Sequence, residues 1–316
     1  MNRDQKAGNK QMLGSVMLLI MAFIWGTSFV FQKMALNADI SAAALMFGRF
    51  FIAAVLWGIF GARKIKSNYR KGQWKTGVLL GTMFFGANLA QILGLQSTTP
   101  GNNAFISSAN VVFVPFVCWI VTKKRPKAVL ILCALLSFVG IGVLSVNPGN
   151  QFLFAPGDVL TLIGAVLFAA HIVAVGETAP HIHVSVLAFM QFSVIAALSL
   201  VFLLIAGNGL TGFGSAEGIT AMLYLGVLAT GVGLTVQMIG QKYVPPAMVG
   251  IIVSTESLFG SILSVVIGYD KLSTGLLLGG GIMFGSILLA NIWQYFQDAR
   301  QKKRENGNGI MQIKES

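Results

Sequence analysis

About ten apolar runs fill most of this 316-residue chain, each close to the roughly 20 residues a helix needs to cross a bilayer. Hydrophobic residues make up 55% of the sequence and charged residues 10%, with a mean hydropathy of +0.77. A soluble chain carries about 25% charge. The length alone suggests two soluble domains, and the hydropathy overrides it. The predicted spans are residues 13–33, 41–61, 74–95, 103–122, 128–146, 158–176, 184–206, 217–237, 246–267 and 275–295. Lipid-facing backbone must satisfy its own hydrogen bonds, and these runs lack the alternation of barrel strands. Each is therefore predicted as an α-helix of an all-α integral membrane protein.

The net charge of +12 invites a nucleic-acid partner. Its placement argues against one. Nineteen of the 22 Lys and Arg residues lie in alternate gaps or in the tails. Six follow span 2, from Arg63 to Lys75, and Lys123, Lys124, Arg125 and Lys127 follow span 4. Lys242 lies between spans 8 and 9, and the rest are in the tails, residues 1–12 and 297–316. The opposite gaps hold only Lys271. Basic residues in short gaps mark the cytoplasmic side. Both termini are thus predicted cytoplasmic, which requires an even number of spans and gives an inner-membrane-like orientation. The gap at 177–183 is predicted inside, yet has no Lys or Arg.

The first apolar run is too long for a signal peptide and no small-x-small cleavage site follows it, so it reads as a retained helix. Cys118 and Cys133 fall inside spans and read as small buried hydrophobes, with no disulfide framework.

The chain repeats itself. Residues 14–28 line up with residues 157–171, placing Trp25 over Phe168 and Ser28 over His171. The same offset sets residues 51–54 over 194–197 and Ala104 over Ala247. With five spans per half, 13–146 and 157–295, an odd number inverts the second copy across the membrane. Inverted repeats characterise many transporters, with the substrate held between the halves near the midplane.

Several motifs carry a resemblance to a known family. Trp25-Gly26-Thr27-Ser28-Phe29, Lys33 and Gly48-Arg49-Phe50 are similar to the opening of an EamA-type domain of the drug/metabolite transporter superfamily. The run from Leu95 through Pro115, closed by Lys124-Arg125-Pro126, resembles the end of that domain. In the second half the similar motifs are Gln241 to Ala247, Ser254-Thr255-Glu256-Ser257 and Tyr269-Asp270-Lys271-Leu272. The resemblance spans about residues 13–292. It implies ten transmembrane helices in two inverted five-helix repeats, and export or exchange of small metabolites such as amino acids. The family usually has Glu-Pro where Glu256-Ser257 stands, and Gly-Glu where Lys124 and Asp270 stand.

Polar groups within hydrocarbon are costly and usually face a bundle interior or an aqueous cavity. Glu256 lies about eleven residues from either end of span 9, close to the midplane at 1.5 Å per residue. It reads either as a proton, cation or amine site, or as a structural buried carboxyl. Arg49 in span 2 has three readings: a partner for Glu256, a partner for a substrate carboxylate, or a donor to backbone carbonyls. Lys33 snorkels to water. His171 reads either as a ligand-binding or titrating imidazole, or as a satisfied packing histidine. Asn88, Gln91, Asn110, Gln191 and Gln237 either line a polar cavity or join helices to one another. Trp25 offers a stacking face or simply packs, and Ser28 is a further cavity candidate. His181 and His183 in a loop, without acidic or thiol ligands, do not make a metal site.

Glycine is abundant, 37 in all. Gly77/Gly81 and Gly281/Gly285 are spaced for close helix packing. No glycine run has the setting of a phosphate loop, so no cofactor is expected, and ATP-driven transport would need another subunit. The functional expectation is a secondary carrier in the cell membrane. Its partners are a small-molecule substrate and the lipid bilayer, without nucleic acid, and a homodimer is left open. A passive channel is the nearest alternative. A membrane-embedded enzyme would need a compact acid, base or metal set, and a sensor would need an output domain.

Overall fold

A computed structural model describes residues 3–97, 103, 106–145, 156–207, 209–267, 274–275, 277–290, 292–293 and 296–297. The motif at residues 269–272, most of residues 98–105 and the tail beyond 297 lie outside the described residues. Every regular element described is helical.

Six helices are long and apolar enough to cross a bilayer: Asn9–Asn37, Ala42–Phe60, Gln73–Ser97, Pro156–Thr178, Val184–Ile205 and Ala216–Gly240. Four shorter apolar helices, Ile106–Thr122, Ala128–Val143, Pro246–Gly260 and Leu277–Ala290, fall within the remaining apolar runs. The chain is a multi-pass membrane protein. Its elements are named here in chain order. They are α1 (Arg3–Asn37), α2 (Ala42–Phe60), α3 (Ala62–Asn68), α4 (Gln73–Ser97), α5 (Asn110–Thr122), α6 (Ala128–Ser145), α7 (Pro156–Thr178) and α8 (Val184–Ile205). Then come α9 (Ala216–Leu223), the π-helix π1 (Tyr224–Leu234), α10 (Thr235–Gly240), α11 (Pro246–Val253) and α12 (Glu256–Ile267). The last is α13 (Leu277–Ala290).

Local chemistry sets the ends. Ser41 caps α2 by accepting the Ala44 N–H at 3.2 Å. Lys123 closes α5 in the left-handed region at φ 59. Burial against neighbouring helices is extensive, and large apolar side chains such as Phe60, Leu204 and Ile205 face outward as well.

Two of the spans read from sequence as continuous are broken. The stretch 246–267 divides into α11 and α12 at Ser254 and Thr255. Their hydroxyls donate back to the Ile251 and Ile252 carbonyls, at 2.7 and 2.6 Å. Such local bonds satisfy the freed carbonyls and compete with the helical ladder. A turn at Ala109 likewise precedes α5. The two breaks touch, because the Ser108 and Ser257 hydroxyls are hydrogen-bonded. The stretch 217–237, read as one α-helix, contains eleven π-helical residues.

Close backbone contact fixes where α12 lies. A Cβ on Gly26 of α1 would overlap the Glu256 carbonyl oxygen and sit 2.8 Å from the Gly260 nitrogen. Only glycine admits this approach. On the other side, a Cβ on Gly94 of α4 would lie 2.6 Å from the Gly157 carbonyl of α7.

Candidate functional site

The central cavity is built from helix faces. Ser28, Phe29 and Gln32 lie three, four and seven residues beyond Trp25, and so share one face of α1. Phe84, Asn88 and Gln91 do the same on α4, and Phe168, His171 and Ile172 on α7. Arg49 comes from α2, Asn110 from the start of α5 and Gln237 from α10. Val253 and Glu256 flank the break between α11 and α12.

Nine of the ten residues singled out from sequence therefore line this one cavity: Trp25, Ser28, Arg49, Asn88, Gln91, Asn110, His171, Gln237 and Glu256. The tenth, Gln191 on α8, stands behind the wall and holds His171, its Oε1 2.8 Å from Nε2. The cavity volume is about 40 Å³, room for a few waters. Gln32, Phe29, Phe84, Phe168, Ile172 and Val253 were not singled out from sequence. Gln32 was within reach, one helical turn beyond Ser28 with a polar side chain. The apolar ones carried nothing to tell them from lipid-facing neighbours.

Several lining groups are tied down. Trp25 packs against all three apolar cores and donates its indole N–H to the Ala229 carbonyl at 2.8 Å. Ser28 donates to the Trp25 carbonyl at 2.7 Å, and Asn88 to the Phe84 carbonyl at 2.8 Å. Gln91 donates to Ser107 at 2.8 Å. Asn103, fully buried, donates to the Gln91 carbonyl and to Thr161. The π-helix serves the wall directly, for Arg49 Nε donates to Thr230 Oγ1 at 2.9 Å.

Other groups on the lining residues are left without partners among the described residues. Asn110 Oδ1, Gln237 Oε1 and His171 Nδ1 are buried without a hydrogen-bond partner among the described residues. Arg49 and Glu256 are 7% and 6% exposed and form no ion pair with each other. The Arg49 guanidinium sits 5.1 Å from the Phe50 ring centre. Of the three readings for Arg49, direct pairing with Glu256 is not the one adopted here. Burying a guanidinium and a carboxyl around one space with no ion pair between them is costly. Among the described residues no cluster of His, Cys, Asp and Glu could hold a metal ion. Cys118 and Cys133 are free thiols.

The comparisons with known proteins agree with this architecture. The EamA-like transporter family model matches twice, at residues 12–146 and 155–292. An uncharacterized transporter of Archaeoglobus fulgidus is 28% identical over 285 residues, covering 90% of this chain and 88% of its own length. A crystal structure of a protein 18% identical in sequence superposes with a TM-score of 0.75, over 89% of this chain and 97% of that one. At that identity it shows a shared fold alone. Helices long enough to cross a bilayer and the double match lead to one conclusion: the chain belongs to the EamA-like transporter family of membrane transporters.

Proposed function

We propose that this protein is a secondary transporter which carries a small polar metabolite, an amino acid or related compound, out of the cell by alternating access. Ten helices cross the cell membrane in two inverted five-helix repeats, residues 13–146 and 157–295, with both termini in the cytoplasm. The observation that carries this reading is the pairing of residues around the cavity. Trp25 and Phe168, Ser28 and His171, and Phe29 and Ile172 all line it and are each 143 residues apart. Gln91 and Gln237, and Asn110 and Glu256, also line it and are each 146 apart.

The three-residue step in that offset falls where the second half carries π1. A π-helix takes more residues per turn than an α-helix, so it absorbs extra residues without displacing Gln237 from the wall. This refines the uniform offset that placed Ala104 over Ala247. Asn110 and Glu256 then occupy matching places, each the first residue of a half-helix after a break. Interrupted helices at corresponding positions of two repeats are a pointer to a transport site.

Arg49 supplies guanidinium donors for a substrate carboxylate and Glu256 a carboxylate for an amine. Rocking of the repeats about the cavity exposes it to each side in turn. Direction follows from gradients. An untargeted metabolite comparison between overexpressing and deletion cells identifies the compound that accumulates outside. With that compound in proteoliposomes, saturable counterflow is expected, and Glu256→Gln reduces it by tenfold or more at unchanged protein level. Flux that does not saturate supports a channel instead. Unchanged flux in Glu256→Gln leaves that carboxyl a structural role.

A further inference from the structure

The carrier reading names a polar solute; the hydrogen-bond roles around His171 narrow what part of it is read. Met238 Sδ can only accept, and Gln191 Nε2 donates to it at 3.2 Å. This orients the Gln191 amide, with its Oε1 turned to His171 Nε2 at 2.8 Å. An amide oxygen also only accepts, so Nε2 of His171 carries the hydrogen. In the neutral imidazole the other nitrogen, Nδ1, is then an acceptor. That nitrogen is buried without a hydrogen-bond partner among the described residues, on a side chain that lines the cavity. The ring cannot turn freely, since its centre lies 4.5 Å from that of Phe84.

Resting on the proposed carrier function, we infer that His171 Nδ1 and the Glu256 carboxylate form an acceptor pole which selects a primary ammonium by its N–H donors. Gln191, outside the cavity, is the positioning residue that fixes the acceptor face of His171. Asn110 Oδ1 and Gln237 Oε1, also buried without partners among the described residues, complete the pole by presenting their amide oxygens. A primary ammonium has three donors to distribute among these groups. A quaternary ammonium of the same charge has none, and would leave the acceptors unpaired. Sites built around such hydrogen bonds reject analogues that lack the donor.

Two measurements on the full-length purified protein test this. The chain has three histidines, so ¹⁵N-histidine labelling gives a readable set of ring signals. His171 should show a hydrogen on Nε2 and a bare Nδ1, and the Nδ1 signal should shift on adding methylammonium. Gln191→Leu should yield a mixture of tautomers. Binding is then read by thermal shift with methylammonium and tetramethylammonium. Methylammonium should bind at least tenfold more tightly, and Gln191→Leu should shrink that ratio toward one. Equal binding of the two ions, failure of both to bind, or a hydrogen on Nδ1 in the wild-type protein each overturns the inference. The last of these needs no variant to fold. The carrier reading stands or falls separately. An exported metabolite without an N–H cation would leave the carrier intact and remove the acceptor-pole assignment. Absence of any flux, with methylammonium still selected, would do the reverse.

Discussion

At the scale of single residues, the buried Arg49 and Glu256 line one space. Glu256 is the first residue of α12, where the helix N-terminus favours negative charge, and its carboxylate opens to the cavity. Its neighbourhood tolerates no added bulk. Gly26→Ala would drive a Cβ into the Glu256 carbonyl. Overpacking of this kind costs about 1–3 kcal/mol. A lowered melting temperature in detergent is expected, while Gly281→Ala, whose Cβ meets open space, should leave it unchanged. His183 offers a second check, outside the spans. Its Nδ1 accepts the Ser185 N–H at 3.2 Å and caps α8. Burial, and then the charges of Lys242 and Lys64, lower its pKa from 6.5. The folded state thus prefers the neutral ring. The stability it contributes is complete above about pH 6.5 and declines as pH falls below that value toward the lowered folded pKa. Melting followed between pH 7.5 and 5 should show this decline, and His183→Asn, which keeps a capping acceptor, should flatten it.

Among the elements, the irregular ones position the wall. π1 supplies the Ala229 carbonyl to Trp25, the Gly231 carbonyl to Trp57 at 3.4 Å, and Thr230 to Arg49. π-helical turns are rare and gather at functional sites. A Cβ on Gly233 would come 2.8 Å from the Trp25 indole nitrogen, so Gly233→Ala should displace that ring and weaken its hydrogen bond. Substrate flux should fall severalfold and tryptophan emission should shift, with helix content unchanged by circular dichroism. Normal flux in this variant would mean that the π-helix only fills space. The six long apolar helices were legible from the apolar runs. The break at Ser254 and Thr255 was not: both residues sit in an apolar run and are tolerated in membrane helices. What divides the run is the back-bonding of their hydroxyls, together with the contact between Ser257 and Ser108.

For the whole molecule, the proposed inverted-repeat topology rests on the side that each gap faces. In a background lacking Cys118 and Cys133, a cysteine at Pro180→Cys should react with a membrane-impermeant maleimide only from the cytoplasmic side. Labelling from outside in intact cells would remove the inverted repeat, and with it a site shared between matching faces. The gap itself carries no basic residue, but Lys64 and Lys242 lie near enough to His183 to influence its charge. Tertiary proximity thus brings basic residues of other gaps to the one that lacks them.

Apolar run lengths and the alternate placement of Lys and Arg determined by themselves that this chain is helical and crosses the membrane repeatedly. Both signals are local: a helix must be long enough, and charge must stay at its ends. The expensive residues within the spans, Glu256, Arg49 and His171, were legible too, because burying them in lipid has no cheap solution. Which faces turn inward was decided only by tertiary structure. Lipid is as apolar as leucine, so Phe60 and Leu204 on the outside read no differently from Phe84 and Phe168 around the cavity. Tertiary structure alone also set Gln191 beside His171. Hydrogen-bond partners twenty residues apart in sequence meet only when two helices pack.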